Sequence, residues 1–84
     1  MNLTMLSPGK EIFNGPITSV KVPGINGQFE ILKDHAAIVS ALANGSVRVI
    51  DDKGTSVTFD ITQGFVEVLN NEVSILVHSL ATAE

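Results

Sequence analysis

Apolar and polar side chains alternate along this chain in short runs cut by glycine, asparagine and proline, a period of two that predicts strands. Leu3 and Met5 alternate with Asn2 and Thr4, and Ser7-Pro8-Gly9-Lys10 follows with turn chemistry, so the chain is expected to open with a strand and a reversal. Ile12-Phe13 reads as a second short strand and Asn14-Gly15 as a turn. Ile17, Val20 and Val22 read as a third, imperfectly alternating strand that ends at Pro23.

Residues 23–42, PGINGQFEILKDHAAIVSAL, organise the rest. Gly24 and Gly27 flank Ile25-Asn26, which predicts two visits to the left-handed region in a tight loop. Phe29 and Ile31 alternate with Gln28 and Glu30 as a half-buried strand that breaks off at Lys33-Asp34-His35. The apolar run at 36–42 resumes immediately, so the charged tripeptide is expected to protrude between two buried strands. Such a loop on a rigid scaffold is where function tends to sit.

Two later ribbons have a register that the turns dictate. If Asp52-Lys53-Gly54 is a three-residue loop with Gly54 left-handed, Val47 faces Phe59 and Val49 faces Val57. Arg48 and Asp60 then become diagonal neighbours and form a solvated ion pair. Asn70-Asn71 suits a type I′ turn, because asparagine tolerates positive φ, and a two-residue loop sets Val68 opposite Val73 and Val66 opposite Ile75. Those four and Val77 make a core face. The other face carries Glu67, Glu72, Ser74 and His78, but also Phe65 opposite Leu76, with Leu80 following on the same side. An aromatic residue and two leucines there need a cover, either the domain's own second sheet or a partner protein. With about nine or ten short strands and no sustained helical period, the fold is expected to be all-β, a flattened sandwich or barrel.

Length and composition narrow the function classes. The 84 residues make one domain, spanning 1–84. A chain of this size buries only about 60–65 % of its unfolded surface and gains stability by docking onto partners. No apolar run approaches the ~20 residues of a membrane helix and the N-terminus lacks a signal pattern, so a soluble, unexported protein is expected. The formal net charge of −4, with scattered basic residues, argues against a nucleic-acid surface. The chain has no cysteine, which excludes thiol chemistry, disulfides and thiolate metal sites. Glu30, Asp34 and His35 read as a solvated charge cluster rather than a converging acid–base or metal site, and His78 as a packed or half-exposed strand residue. No phosphate-binding loop, nucleophile elbow or zinc-protease motif occurs. An enzyme is not expected.

The opening NLTMLSPGKEIFNG, the segment VPGINGQFEILKDHAAIVSAL, the NGSVRV strand and TQGFVEVLNNEVSILV together resemble the N-terminal β-sandwich domain of the epsilon subunit of the F-type ATP synthase, called delta in mitochondria. The resemblance covers essentially the whole chain. It implies a ten-stranded sandwich at the foot of the central stalk, a non-catalytic rotor subunit without cofactor. One side would bind the gamma subunit and the other the polar loops of the membrane-embedded c-ring, so that proton-driven rotation of the ring turns the stalk, at the cytoplasmic face of a bacterial inner membrane. Carried over by position, the ring interface would comprise Gly24, Gly27, Gln28, Asp34 and His35. Ser7, Ser40, Ala41 and Leu42 would lie toward gamma, and the apolar pair Phe65 and Leu76 is expected to join that interface unless the second sheet covers it. Glu30, Lys33, Asp34 and Ala37 stand where the family commonly has glycine and proline in Gly-x-Leu-x-Gly-His-Ala-Pro. Only residues 81–84 follow Leu80, so the family's C-terminal helical hairpin, which in relatives brakes hydrolysis, is expected to be absent. The alternative is a free-standing sandwich adaptor or ligand-binding module, which would ordinarily offer a Trp or Tyr stacking platform; this chain has neither and only four Phe.

Overall fold

The computed structural model describes residues 1–80, and all their regular structure is strand: β1 (Asn2–Ser7), β2 (Lys10–Gly24), β3 (Gly27–Leu32), β4 (Ile38–Leu42), β5 (Gly45–Asp51), β6 (Ser56–Leu69) and β7 (Glu72–Leu80). The four-residue end of the chain, on which the expected absence of a helical hairpin rests, lies outside the described residues. One layer runs β4-β6-β7-β1, with β1 and β7 parallel, and the other runs β3-β2-β5-β6. Their inner faces share one core, to which Leu3, Met5, Val66, Val68, Val73 and Ile75 contribute from the first layer and Val20, Val22, Ile31, Val47 and Val49 from the second. This is the all-β sandwich or flattened barrel that the alternating pattern predicts.

Seven strands replace the expected nine or ten because β2 and β6 are long enough to serve both layers. The expected turn at Asn14-Gly15 does not form. There β2 runs straight on, pairing with β1 as far as Asn2↔Pro16 and with β5 from Ile17↔Asp51. Pro16, which has no N–H to donate, marks the hand-over between partners rather than a reversal. A register shift between Ile17 and Ser19 explains the imperfect alternation of this strand, and the Thr18 hydroxyl donates across it to the carbonyls of Ile50 and Asp51. In β6 the hand-over falls at Gln63 (φ 43), whose N–H leaves the ladder and donates to Asn44 Oδ1 at 3.0 Å. Burial switches from Ile61 to Val66 and Val68 across that point.

Both hairpins keep the register their turns dictate. Val47 pairs with Phe59 and Val49 with Val57, and Gly54 has φ 85. The Asp51 carboxylate holds the loop by accepting from the N–H groups of Lys53 and Thr55. Asn70 and Asn71 have φ of 50 and 65, and Val68↔Val73 and Val66↔Ile75 follow. The diagonal Arg48–Asp60 pair does not form: Arg48 Nε donates to Ser56 Oγ, and Asp60 accepts from Ser46.

Three further expectations are corrected. Gly27 alone of the two hairpin glycines has positive φ, at 125; Gly24 is needed for close approach, since a Cβ there would lie 2.8 Å from the Gly27 carbonyl oxygen and 2.9 Å from the Phe29 ring. The apolar run at 36–42 is not a buried strand. Along most of its length β4 pairs only with β6, meeting β2 at Gly24↔Leu42 alone, and Val39 is 72 % exposed. Leu80 does not continue the outward face of β7 but packs against the core, paired with buried Ile61.

Candidate docking surfaces

The outer face of the first layer carries an uncovered apolar row. Ala41 of β4 pairs with Phe65 of β6, Phe65 with Leu76 of β7, and Leu76 with Leu6 of β1, so four side chains line up across four strands. Phe65 is 58 % and Leu76 53 % exposed. The domain's second layer therefore does not cover them. The N–H of Ile25, in the β2–β3 turn, donates to the Ala41 carbonyl, and this brings another exposed apolar side chain to the end of the row. Between Ile25, Ala41, Phe65, Leu76 and the polar rim of Asn44, Gln63 and His78 lies an open groove of about 660 Å³.

Of the residues assigned to the gamma side, Ala41, Phe65 and Leu76 meet in this row. Ser40 pairs with buried Val66 and turns to the inner face, and Leu42 is itself core. Ser7 ends β1, one residue beyond Leu6 in the row. Leu6 and Ile25 belong to the patch and do not stand out in sequence. No local spacing signals the parallel β1–β7 pairing, and Ile25 shows itself only as a turn residue.

The residues assigned to the ring side fall at the two ends of β3. Gly24, Gly27 and Gln28 sit at the turn that abuts β4, whereas Asp34 and His35 lie past the other end, about 20 Å away at the rise of an extended strand. What joins them is the outer face of β3, where Gln28, Glu30 and Leu32 point away from the core while Phe29 and Ile31 point into it. Glu30 sits across from Lys21 on β2. Along Glu30 and Leu32 this stripe lies on the outer side of the second layer, away from the Phe65–Leu76 row, whereas the Gly24–Gly27 turn at its other end reaches β4 beside that row.

The charged residues of the histidine loop do not converge on a reaction centre. Asp34 Oδ1 accepts from Asn71 Nδ2 at 3.1 Å, and Glu30 stays on its strand. The His35 ring lies 2.8 Å from the Ala36 carbonyl through Nδ1, and since a carbonyl only accepts, Nδ1 carries the proton in this contact. Among the described residues no three His, Asp or Glu side chains gather as a metal ion would require.

The family model described as the ATP synthase Delta/Epsilon chain, beta-sandwich domain, matches residues 1–83. An ATP synthase epsilon chain of Chlorobaculum tepidum is 39 % identical over 79 residues, covering 94 % of this chain and 90 % of that protein. One from Protochlamydia amoebophila is 34 % identical over 82 residues, 98 % of this chain but 56 % of the relative. The chain thus spans nearly the full length of some relatives and little more than half of others. In solved structures, a chain of the Euglena gracilis mitochondrial ATP synthase superposes with a TM-score of 0.87 at 23 % identity, covering 94 % of this chain and 51 % of that one. A chain of the central stalk and c-ring of the Tetrahymena thermophila mitochondrial ATP synthase gives 0.77 at 24 % identity, covering 94 % and 63 %. At these identities the superpositions speak for the fold.

Proposed function

Because this chain belongs to the ATP synthase delta/epsilon β-sandwich family, we propose that it is a non-catalytic rotor subunit that joins the gamma subunit to the c-ring and so couples proton-driven rotation to ATP synthesis. The observation that carries this reading is the presence of two unlike surfaces on opposite outer faces of a rigid sandwich. The apolar row through Ala41, Phe65, Leu76 and Leu6 suits gamma, since a half-exposed aromatic–aliphatic strip gains most from burial against another protein. The stripe of Gln28 and Glu30, extended past exposed Leu32 by Asp34 and His35, suits the polar loops of the ring. In this arrangement torque passes through packed β-layers, which deform little. The protein then sits peripherally on the cytoplasmic side of a bacterial inner membrane, held there by the complex. The relatives described above are ATP synthase epsilon chains, and two solved structures of the same fold come from F1/c-ring and central-stalk/c-ring assemblies.

The ring contact is tested by replacing Gln28 and His35 together with alanine. Both side chains lie outside the core, so the melting temperature should stay within a few degrees of wild type. Retention of the ring by the gamma–chain complex should fall about tenfold or more. Unchanged retention in a folded double variant would remove these two positions from the interface.

A further inference from the structure

We propose that Asn71 is the positioning residue of the histidine loop, its side-chain amide gripping Asp34 so that His35 is held in one conformation for docking; the docking part rests on the ring-facing reading above. The loop is a tight turn in which the His35 N–H donates to the Leu32 carbonyl at 3.1 Å. Its third residue, Asp34, has φ 66, the place where a turn of type II ordinarily takes glycine or asparagine. An aspartate held there needs compensation from outside the turn.

Asn71 supplies it twice. Its Oδ1 accepts the Asp34 backbone N–H at 2.7 Å, and its Nδ2 donates to Asp34 Oδ1 at 3.1 Å. The two residues are 37 apart in sequence, so this clasp fastens a loop of one segment to the hairpin turn of another. The turn is anchored in its own right, because the Asn71 carbonyl accepts the Asn2 N–H at 3.0 Å and ties it to β1. Asn71 has φ 65, a value that glycine would satisfy equally well. Only asparagine adds a donor and an acceptor on a side chain short enough to reach Asp34 from there. The turn requirement alone therefore does not account for the residue.

The test uses isosteric exchange in the full chain. Asn71→Asp keeps the turn, because aspartate also tolerates positive φ, but it removes the donor and sets two carboxylates face to face. Exchange of the His35 amide should accelerate about tenfold, while amides of the core strands keep their protection. Asp34→Asn combined with Asn71→Asp swaps the roles, so that the new amide at 34 donates to the new carboxylate at 71. Protection of His35 should return to within about twofold of wild type. A residue that merely shapes the β6–β7 turn would give neither the loss nor the recovery by exchange. Unaltered His35 exchange in Asn71→Asp, or failure of the swapped pair to restore it, overturns the positioning role. The same variants scored for c-ring retention separate the two claims: loss and recovery of His35 protection with no change in ring retention keeps the clasp and overturns only its service to docking.

Discussion

Replacing Leu76 with aspartate should weaken binding to the gamma subunit by about a hundredfold while shifting the thermal midpoint by only a few degrees. Leu76 stands in the middle of the outer row, flanked by Phe65 on one neighbouring strand and Leu6 on the other, and is 53 % exposed in the free domain. In a docked complex such a central aliphatic side chain loses its remaining water contact. Truncating a hot spot costs about 2 kcal/mol or more, and a buried unpaired carboxylate adds to that. In the free protein the new carboxylate stays solvated, so the stability cost stays near or below about 1 kcal/mol. Titration calorimetry against gamma measures the first effect and thermal unfolding the second. Arg48→Ala, on the outer face of the other layer, should leave gamma affinity unchanged. If Leu76→Asp binds gamma normally, the row is not the interface. A collapse in stability would mean that the side chain is core.

The second large effect concerns Gly64, where β6 passes from one layer to the other. A Cβ at this position would collide with the backbone carbonyl oxygen of Leu76 and lie 3.1 Å from Val77 Cα. Both obstacles are backbone of the adjacent strand, so the clash cannot be relieved by a rotamer change. Gly64→Ala must push β7 away from β6 in the middle of the first layer, disturbing the ladder that places Phe65 beside Leu76. A cost of about 3 kcal/mol is expected. For a domain of this size that is a drop of about 12–24 °C in the thermal midpoint. Gly15→Ala is the matched control, because its added methyl would come no closer than 3.9 Å to the Phe13 ring. Its midpoint should move by only a few degrees. Equal stability of the two variants would show that β6 and β7 are looser here than their pairing indicates.

How much could be read from the residues depended on whether local chemistry set the outcome. The two late hairpins were legible to the register, because Asn70-Asn71 and Asp51 to Gly54 fix their turns with local hydrogen bonds and positive φ. The exposed Phe65–Leu76 pair followed from the same register. Asn14-Gly15 misled because turn chemistry was present but the strand had partners on both sides of it to continue with, β1 before Pro16 and β5 after. The apolar run at 36–42 misled because composition cannot tell an edge strand from a central one, and only the pairing of β4 shows why Val39 points outward. The residues that the resemblance assigns to the ring did not disclose their arrangement. Sequence proximity grouped Gln28 with His35, whereas β3 sets them at its two ends. The clasp between Asp34 and Asn71 joins residues far apart in the chain and has no sequence signature.

The central claim is that opposite faces of this sandwich engage different parts of the rotor, and site-directed cross-linking tests it most directly. The chain contains no cysteine, so Phe65→Cys and Gln28→Cys each introduce a single addressable thiol. With a short thiol-anchored photo-cross-linker in the assembled enzyme, the probe at 65 should yield an adduct with gamma and the probe at 28 an adduct with the c-ring. Capture of the same subunit from both positions, or a thiol at 65 that stays open to solvent in the assembly, would contradict the account.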